Sequence, residues 1–583
     1  MGDGPGRHRQ PHALPGVPAL PGTPVSAPAA ARPADGTAAP AGAPATGSVL
    51  RSGALMAAGS VVSRATGFVR SATVAAALGV GLAADGYSVG NSVPTIVYML
   101  LLGGALNAVF VPELVRAAKE HEDGGAAYTD RLLTVCTAAL LLITTAAVLA
   151  APAIVAAYTG YTGAQAATTV AFARSCLPQI LFLGLFTLLG QVLGARGRFG
   201  AMMWTPVLNN LVVIAVFGLY LAAAGTGGGL TPGETALLGW GTTAGIAVQA
   251  LALVPSLRAA RFRWRPRFDW RGSGLSRPLR SAGWLVLLVL TNQVAYWVVT
   301  RLATSAGQRA AALGIDGGAG FTAYNNAYLL WAVPHGIVTV SLVTALLPRM
   351  SAAAADGDRA RVRRDVSYAL RSSSALVVPA ACALLALAGP AMALVFEHGR
   401  TDAADAAVMA NALVAFAPGL VAFSGQYVLS RTFYALGDTR TPFLLNLVVC
   451  GLNAGLSVTA YLLLPARWAV TGMAGAYSVA LFAGWAVTAH VLARRLAAPG
   501  GGRGPWRSPT AGALARLLLA AVPAAALGRT TADLAADLGP LAAAAAGAAV
   551  VVLVFSAAAR PLRLTEVEAA RRALLGKLRR GAR

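Results

Sequence analysis

Two arginines, Arg64 and Arg70, lie in the otherwise apolar stretch SRATGFVRSATVAAALG, residues 63–79. A guanidinium at the centre of a bilayer costs at least ~2.5–3.5 kcal/mol, so it is retained where it faces protein or water and has a partner. Its planar fork of donors suits phosphate oxygens. Six residues on a helix correspond to about 9 Å of rise and about 120° of rotation, so both side chains can line one wide cavity at two depths. Gly67 between them permits a bend or close approach of a neighbour. The structural alternative is pairing with a carboxylate, and Asp85, just inside the next apolar run, is the candidate partner of Arg70. A third buried cation is Arg301 in NQVAYWVVTRLATSAG, with Asn292 and Gln293 before it as polar support. Arg301 either joins the same cationic cavity as a substrate-binding group or snorkels to the outer interface. Small and helix-breaking residues stand nearby in the chain. Gly103 and Gly104 suit tight helix contact, and Pro334 and Gly336 in WAVPHG suggest a bend. His335 in the same motif is a titratable group or a packed polar residue.

The elements that must position these groups are membrane spans. The 583 residues are 56% hydrophobic and 12% charged, with a mean hydropathy of +0.64. Apolar runs of about 20 residues recur, the length that crosses ~30 Å of hydrocarbon. They do not alternate polar with apolar, which argues against a barrel. The reading is an all-α polytopic membrane protein of about fourteen spans, with span one at 53–78, span two at 84–111, span seven at 281–306 and span eight at 320–347. GARGRFGAMMWTPVLNNLVV from Gly194 is similar to YALGDTRTPFLLNLVVCGLN from Tyr434, about 240 residues on. VFVPELVRAA and TALLPRMSAA form a second such pair, so spans one to six and seven to twelve read as two repeats with a site between them. The expected organisation is a Pro/Ala/Gly-rich disordered tail at 1–48, a first lobe at 49–257, a basic linker at 258–280, a second lobe at 281–494, two further spans at 495–562 and a basic tail at 563–583.

The net charge of +24 follows the positive-inside pattern rather than nucleic-acid binding. Eight arginines fall between Arg258 and Arg280, whereas 159–167 and 225–233 carry no charge, so both termini are expected in the cytoplasm. The four cysteines have no metal or disulfide spacing. Walker, G-x-S-x-G and H-E-x-x-H motifs are absent, so the chain reads as a transporter and not an enzyme. Energy would come from an ion gradient, the membrane potential or downhill flow.

SRATGFVRSATVAAALGVGLAADGYSV followed by GGALNAVFVPEL resembles the signature of the MurJ/MviN lipid II flippases, of the multidrug/oligosaccharidyl-lipid/polysaccharide exporter superfamily. LLPRMS, FEHGRTDAAD and ALGDTRTP resemble later family motifs, and the Arg-rich, Ala-rich composition looks actinobacterial. The resemblance implies two six-helix lobes in a V around a cationic cavity, with two C-terminal helices forming a lipid-tail groove. The implied substrate is an undecaprenyl-pyrophosphate-linked peptidoglycan precursor, moved from inner to outer leaflet of the plasma membrane. Arg64 and Arg70 match the family's cavity arginines and Asp85 its acid. The implied partners are that lipid, membrane lipids and cell-wall synthesis or division proteins. No cofactor is implied beyond a coupling ion, Na+ or H+. Tyr98, Met99, Gly103 and Leu329 stand where many members have charged residues, which leaves fewer matched cations for Arg301 to supplement. Other substrates stay open: another polyprenyl-linked glycan, or a drug in exchange for a cation, which would call for buried carboxylates. A non-transporting cell-wall scaffold is the remaining alternative.

Overall fold

The computed structural model describes residues 46–101, 123, 125–198, 200–224, 229–269, 283–315, 317–497, 509–569 and 572. Contacts divide the chain into Met1–Arg51, of which only the start of the first helix is described, and Ser52–Arg583. The second unit is helical throughout its regular structure among the described residues. In its first half come α1 (Thr46–Leu78), α2 (Leu82–Leu101), α3 (Ala126–Leu149), α4 (Ala151–Tyr158), α5 (Gly163–Cys176), α6 (Gln179–Ala195), α7 (Gly200–Ala224), α8 (Pro232–Leu251) and α9 (Val254–Ala259). In its second come α10 (Gly283–Ala312), α11 (Phe321–Pro334), a π-helical turn (His335–Thr339), α12 (Val340–Ala355), α13 (Arg359–Phe396), α14 (Ala403–Phe416), α15 (Gly419–Ala435), α16 (Arg440–Leu463) and α17 (Ala466–Arg495). The hairpin of α18 (Pro509–Leu534) and α19 (Pro540–Ala559) completes it.

Among the described residues, eleven helices or continuous helix pairs are long and apolar enough to cross a membrane, and twelve when the bent pair α14–α15 counts as one. They coincide with expected spans three to fourteen. Expected span one falls on α1 and the start of expected span two on α2, with 102–111 outside the described residues; these helices carry Arg64, Arg70 and Asp85. Leu142, Leu219, Leu463, Leu519 and Leu553 are among many large apolar side chains left exposed on the bundle, which is the surface lipid requires.

The internal repeat is written in helix lengths. Helices spanning 163–176 and 179–195 recur at 403–416 and 419–435, each shifted by 240 residues. Pro178 and Pro418 break the two pairs at the same place, because proline lacks the N–H and disfavours helix in the residue before it. Residues 403–435 are therefore two helices, bent by 48°. The turns that follow, at Gly197 and Gly437, adopt φ of +71° and +75°, open to glycine without strain.

One core is built around Leu177, Ile180, Leu188 and Leu193 of the first half, and a second around Trp331, Phe321, Phe396 and Phe416 of the second half, which also takes in Ala75, Val80 and Val89 of the first. The α18–α19 hairpin packs on α13 through Ala520, Ala521 and Ala524. Its helices cross where Gly528 and Gly547 meet: a Cβ on either would lie 2.9 or 2.8 Å from the other's carbonyl oxygen. After α9 the arginine-rich segment is extended and docks on α3. Trp264 Nε1 and the Arg267 N–H donate to Thr134 Oγ1 at 3.3 and 3.0 Å, and the Arg265 N–H donates to Asp130 at 3.2 Å.

Candidate functional site

Arg64 lies fourteen residues before the end of α1, or about 21 Å along the helix. Its guanidinium rests on Gly336, where a Cβ would stand 2.6 Å from Nη1 and 3.3 Å from Cζ. Gly336 is itself fifteen residues past the start of α11, about 22 Å, so the two meet at one depth. The landing place exists because of local sequence. Pro334 removes a backbone donor, the helix widens into the π turn, and a residue without a side chain faces α1. The neighbouring His335 points the other way and is buried. Its Nδ1 is 3.0 Å from Ser424 Oγ, and its ring packs on Phe423 and Tyr427 at centroid distances of 4.3 and 5.2 Å. It is a packed polar residue of the second half.

Arg70 lines a cavity of about 90 Å³ shared by the two halves. Tyr87, Ser88 and Asn91 of α2 face Thr322, Asn325 and Asn326 of α11 there, and no carboxylate is present in the lining. Neither Arg64 nor Arg70 forms an ion pair among the described residues. Gly67 does not bend α1, which runs unbroken. It leaves room for Asn210 of α7, whose Nδ2 donates to Ser63 O and Thr66 Oγ1 at 3.0 Å each.

Asp85 does something other than pair with Arg70. Its buried carboxylate accepts from the N–H groups of Phe321 at 3.2 Å and Thr322 at 2.7 Å, capping α11 of the opposite half. The N-cap position of that helix is Gly320, and a Cβ there would fall 1.9 Å from Asp85 Oδ2. A glycine socket thus lets the first half supply the cap that the second half lacks. Ser88 and Thr322 hydroxyls add a contact of 3.0 Å. From the second half, Arg400 N and Thr401 Oγ1 donate to the last-turn carbonyls of α1, Ala76 O at 2.8 Å and Ala75 O at 2.9 Å. Gly399, with φ of +62°, makes that crossing possible, since a Cβ would lie 2.4 Å from Ala76 O.

These contacts form a latch between the halves, and all of it lies at the charge-poor end of the bundle. At the arginine-rich end Arg196 donates to Ala260 O and Arg349 to Asp365, each pair within one half. The cavity that Arg70 lines thus lies next to the contacts that join the halves at the charge-poor end.

Arg301 is not brought to Arg64 and Arg70. It reaches the last turn of α4, with Nη1 3.5 Å from Ala156 O, beside Trp297 Nε1, which donates to Ala157 O at 2.9 Å. A carbonyl at the end of α4 draws the guanidinium there and not toward Arg70. Asn292 turns toward α16, where Cys450 Sγ is 3.6 Å from its Oδ1, so it does not support a cationic cavity. Gln293 is half-buried on the same helix. Gly103 and Gly104 lie outside the described residues. Sequence reasoning passed over Asn91, Asn325 and Asn326. The available signal was an Asn-Asn pair in the apolar run FTAYNNAYLLW. Among the described residues no three His, Cys, Asp or Glu side chains gather as a metal site.

Residues 74–534 match the family model described as "Lipid II flippase MurJ". That match begins after Arg64 and Arg70, so the arginines stand on geometry and not on the match. A Rhizobium meliloti protein described as "Probable lipid II flippase MurJ" is 28% identical over 82% of this chain and 86% of its own. The "Lipid II flippase MurJ" of Burkholderia cenocepacia is 28% identical over 66% of this chain and 72% of its own. Among solved structures, "Lipid II flippase MurJ, inward closed conformation" superposes with a TM-score of 0.67 at 17% identity, over 87% of this chain and 99% of that one. An inward-facing multidrug resistance MATE family transporter of the MOP superfamily superposes with a TM-score of 0.61 at 14% identity, over 74% and 94%.

Proposed function

Because the chain belongs to the lipid II flippase MurJ family, we propose that it carries lipid II from the inner to the outer leaflet of the plasma membrane. The observation that carries this reading is Arg64: a guanidinium with no ion pair among the described residues, held at mid-depth against Gly336. A diphosphate cannot enter hydrocarbon unpaired, since burying an isolated charge is prohibitive. A fixed guanidinium offsets that cost with charge-assisted hydrogen bonds. Arg64 takes the diphosphate midway, and Arg70, about 9 Å further along α1, receives it next to the latch. The charge-poor end is the outer side, both termini are cytoplasmic, and the loading side is the arginine-rich end. Opening of the Asp85 and Arg400 contacts then releases the headgroup outward, an alternation between two access states around a fixed site. The polyprenyl tail stays in lipid along α18 and α19. Na+ or H+, or the membrane potential, biases the cycle.

The fold likeness to a multidrug transporter leaves the substrate open, and the charge of Arg64 and Arg70 favours an anion. Drug-for-cation exchange needs an ionised acid where the Arg70 cavity has none. The chain acts as a transporter and catalyses no bond cleavage. The test is Arg64→Ala in cells depleted of their own lipid II flippase. A variant that inserts normally and fails to sustain growth supports the reading, and growth at the wild-type rate removes it.

A further inference from the structure

The cavity around Arg70 contains more hydrogen-bonding chemistry than a diphosphate uses. Phosphate oxygens only accept, whereas a carboxamide donates and accepts at once. Three carboxamides line this small space: Asn91 from the first half, Asn325 and Asn326 from the second. Each has capacity to spare. Asn325 makes no hydrogen bond among the described residues. Asn326 is 8% exposed, and its Nδ2 faces Met409 Sδ at 3.7 Å, a weak acceptor. Asn91 Oδ1 accepts from Gln179 Nε2 at 3.3 Å, which leaves its own amide hydrogens to the cavity. Asn91 and Asn325 are half-buried and Asn326 is buried, and a buried polar side chain is costly when unsatisfied. Their retention in one place points to a ligand group that both donates and accepts.

We propose that this cavity is an amide subsite, taking a secondary amide of the lipid headgroup while Arg70 holds the adjoining phosphate. The inference rests on the flippase reading and deepens it. About 90 Å³ admits a group of a few heavy atoms, such as an acetamido group, and is too small for a disaccharide. Two parts of the headgroup carry that chemistry, the N-acetyl groups of the sugars and the peptide. The lining comes from both halves and includes Ser88 and Thr322, whose hydroxyls touch across it. An amide seated there touches both sides of the latch, so the subsite reads the headgroup at the point where the outer end must open.

The experiment measures binding of defined lipids to the full chain in detergent. Undecaprenyl diphosphate carries no amide, and lipid II carries both kinds. Asn325→Ala weakens lipid II binding about five- to tenfold, the loss of one hydrogen bond, and leaves undecaprenyl diphosphate within about twofold. Asn91→Ala, from the other half, gives the same selective loss and carries the test if Asn325→Ala does not fold. Arg70→Gln weakens both lipids. Lipid II with free amines in place of N-acetyl groups, and lipid II without its peptide, assign the source: the analogue for which Asn325→Ala makes no difference lacks the amide that is read. Equal loss for lipid II and undecaprenyl diphosphate, or no loss for either, overturns the subsite and leaves the flippase reading standing. Wild-type protein that binds neither lipid overturns both.

Discussion

Replacing Gly336 by alanine moves Arg64 without touching its charge. The added methyl would stand 2.6 Å from Nη1, and ordinary contact begins near ~3.5 Å, so the guanidinium withdraws by about 1 Å. It is the free end of a flexible side chain, so the fold gives way cheaply. The bound phosphate does not. Stretching a charge pair from about 4 to 5 Å at an effective dielectric near ~20 loses about 0.8 kcal/mol. One charge-assisted hydrogen bond lost adds at least ~1.5 kcal/mol. The sum, about 2–3 kcal/mol, is roughly a 30- to 150-fold loss of affinity. Binding of undecaprenyl diphosphate to the purified chain reads this directly. Gly455→Ala on α16, where a Cβ meets nothing within 4 Å, is the control. It retains wild-type binding and, as a helical Gly→Ala change, gains up to ~1 kcal/mol of stability. Wild-type affinity in Gly336→Ala, or the same loss in Gly455→Ala, refutes the assignment of Arg64 and Gly336 to one site.

The latch gives two further expectations. Asp85→Ala leaves the Phe321 and Thr322 N–H groups uncapped at a cost of about 1–2 kcal/mol, so cysteines placed at Ser88 and Thr322 cross-link less efficiently than with Asp85 intact. Gly320→Ala drives a methyl to 1.9 Å from Asp85 Oδ2 and lowers the melting temperature in detergent more than Asp85→Ala does. Acid acts at the α15–α16 turn. Burial pushes the Asp438 carboxyl up, but hydrogen bonds from Thr441 and Arg495 outweigh it and hold the group below its ordinary value. A depressed carboxylate contributes stability that is present above the unfolded value near ~3.9 and is lost as pH falls through the folded one. Asp438→Asn therefore lowers stability at neutral pH and flattens its fall in acid below about pH 4.

The spans and the repeat were legible because both are local: apolar length, Pro178 and Pro418, and the Gly197 and Gly437 turns all act within a few residues. Arg64 and Arg70 were legible for a related reason, since a charge in an apolar helix is conspicuous at any position. Partners were not. Asp85 sits fifteen residues from Arg70, and the spacing invites a pair, yet its carboxylate goes to backbone 236 residues away. Nothing in the sequence states that Gly320 leaves α11 without its own cap for Asp85 to supply. Arg301 illustrates the same limit: its depth in a span was readable, but the α4 carbonyl that holds it belongs to the other half. Gly336 reads from sequence as a bend, and its contact with Arg64 depends on two helices meeting at equal depth. The asparagines were overlooked because small polar residues are common in spans, and only the cavity sets these three apart.

The central claim is that guanidiniums on α1 carry a diphosphate headgroup across the bilayer. Movement of labelled lipid II across proteoliposome membranes tests it most directly, comparing the wild-type chain with Arg64→Ala and Arg70→Ala reconstituted to equal density. The account predicts transfer by the wild-type chain and loss of transfer in both variants. Transfer by the variants at the wild-type rate would contradict it.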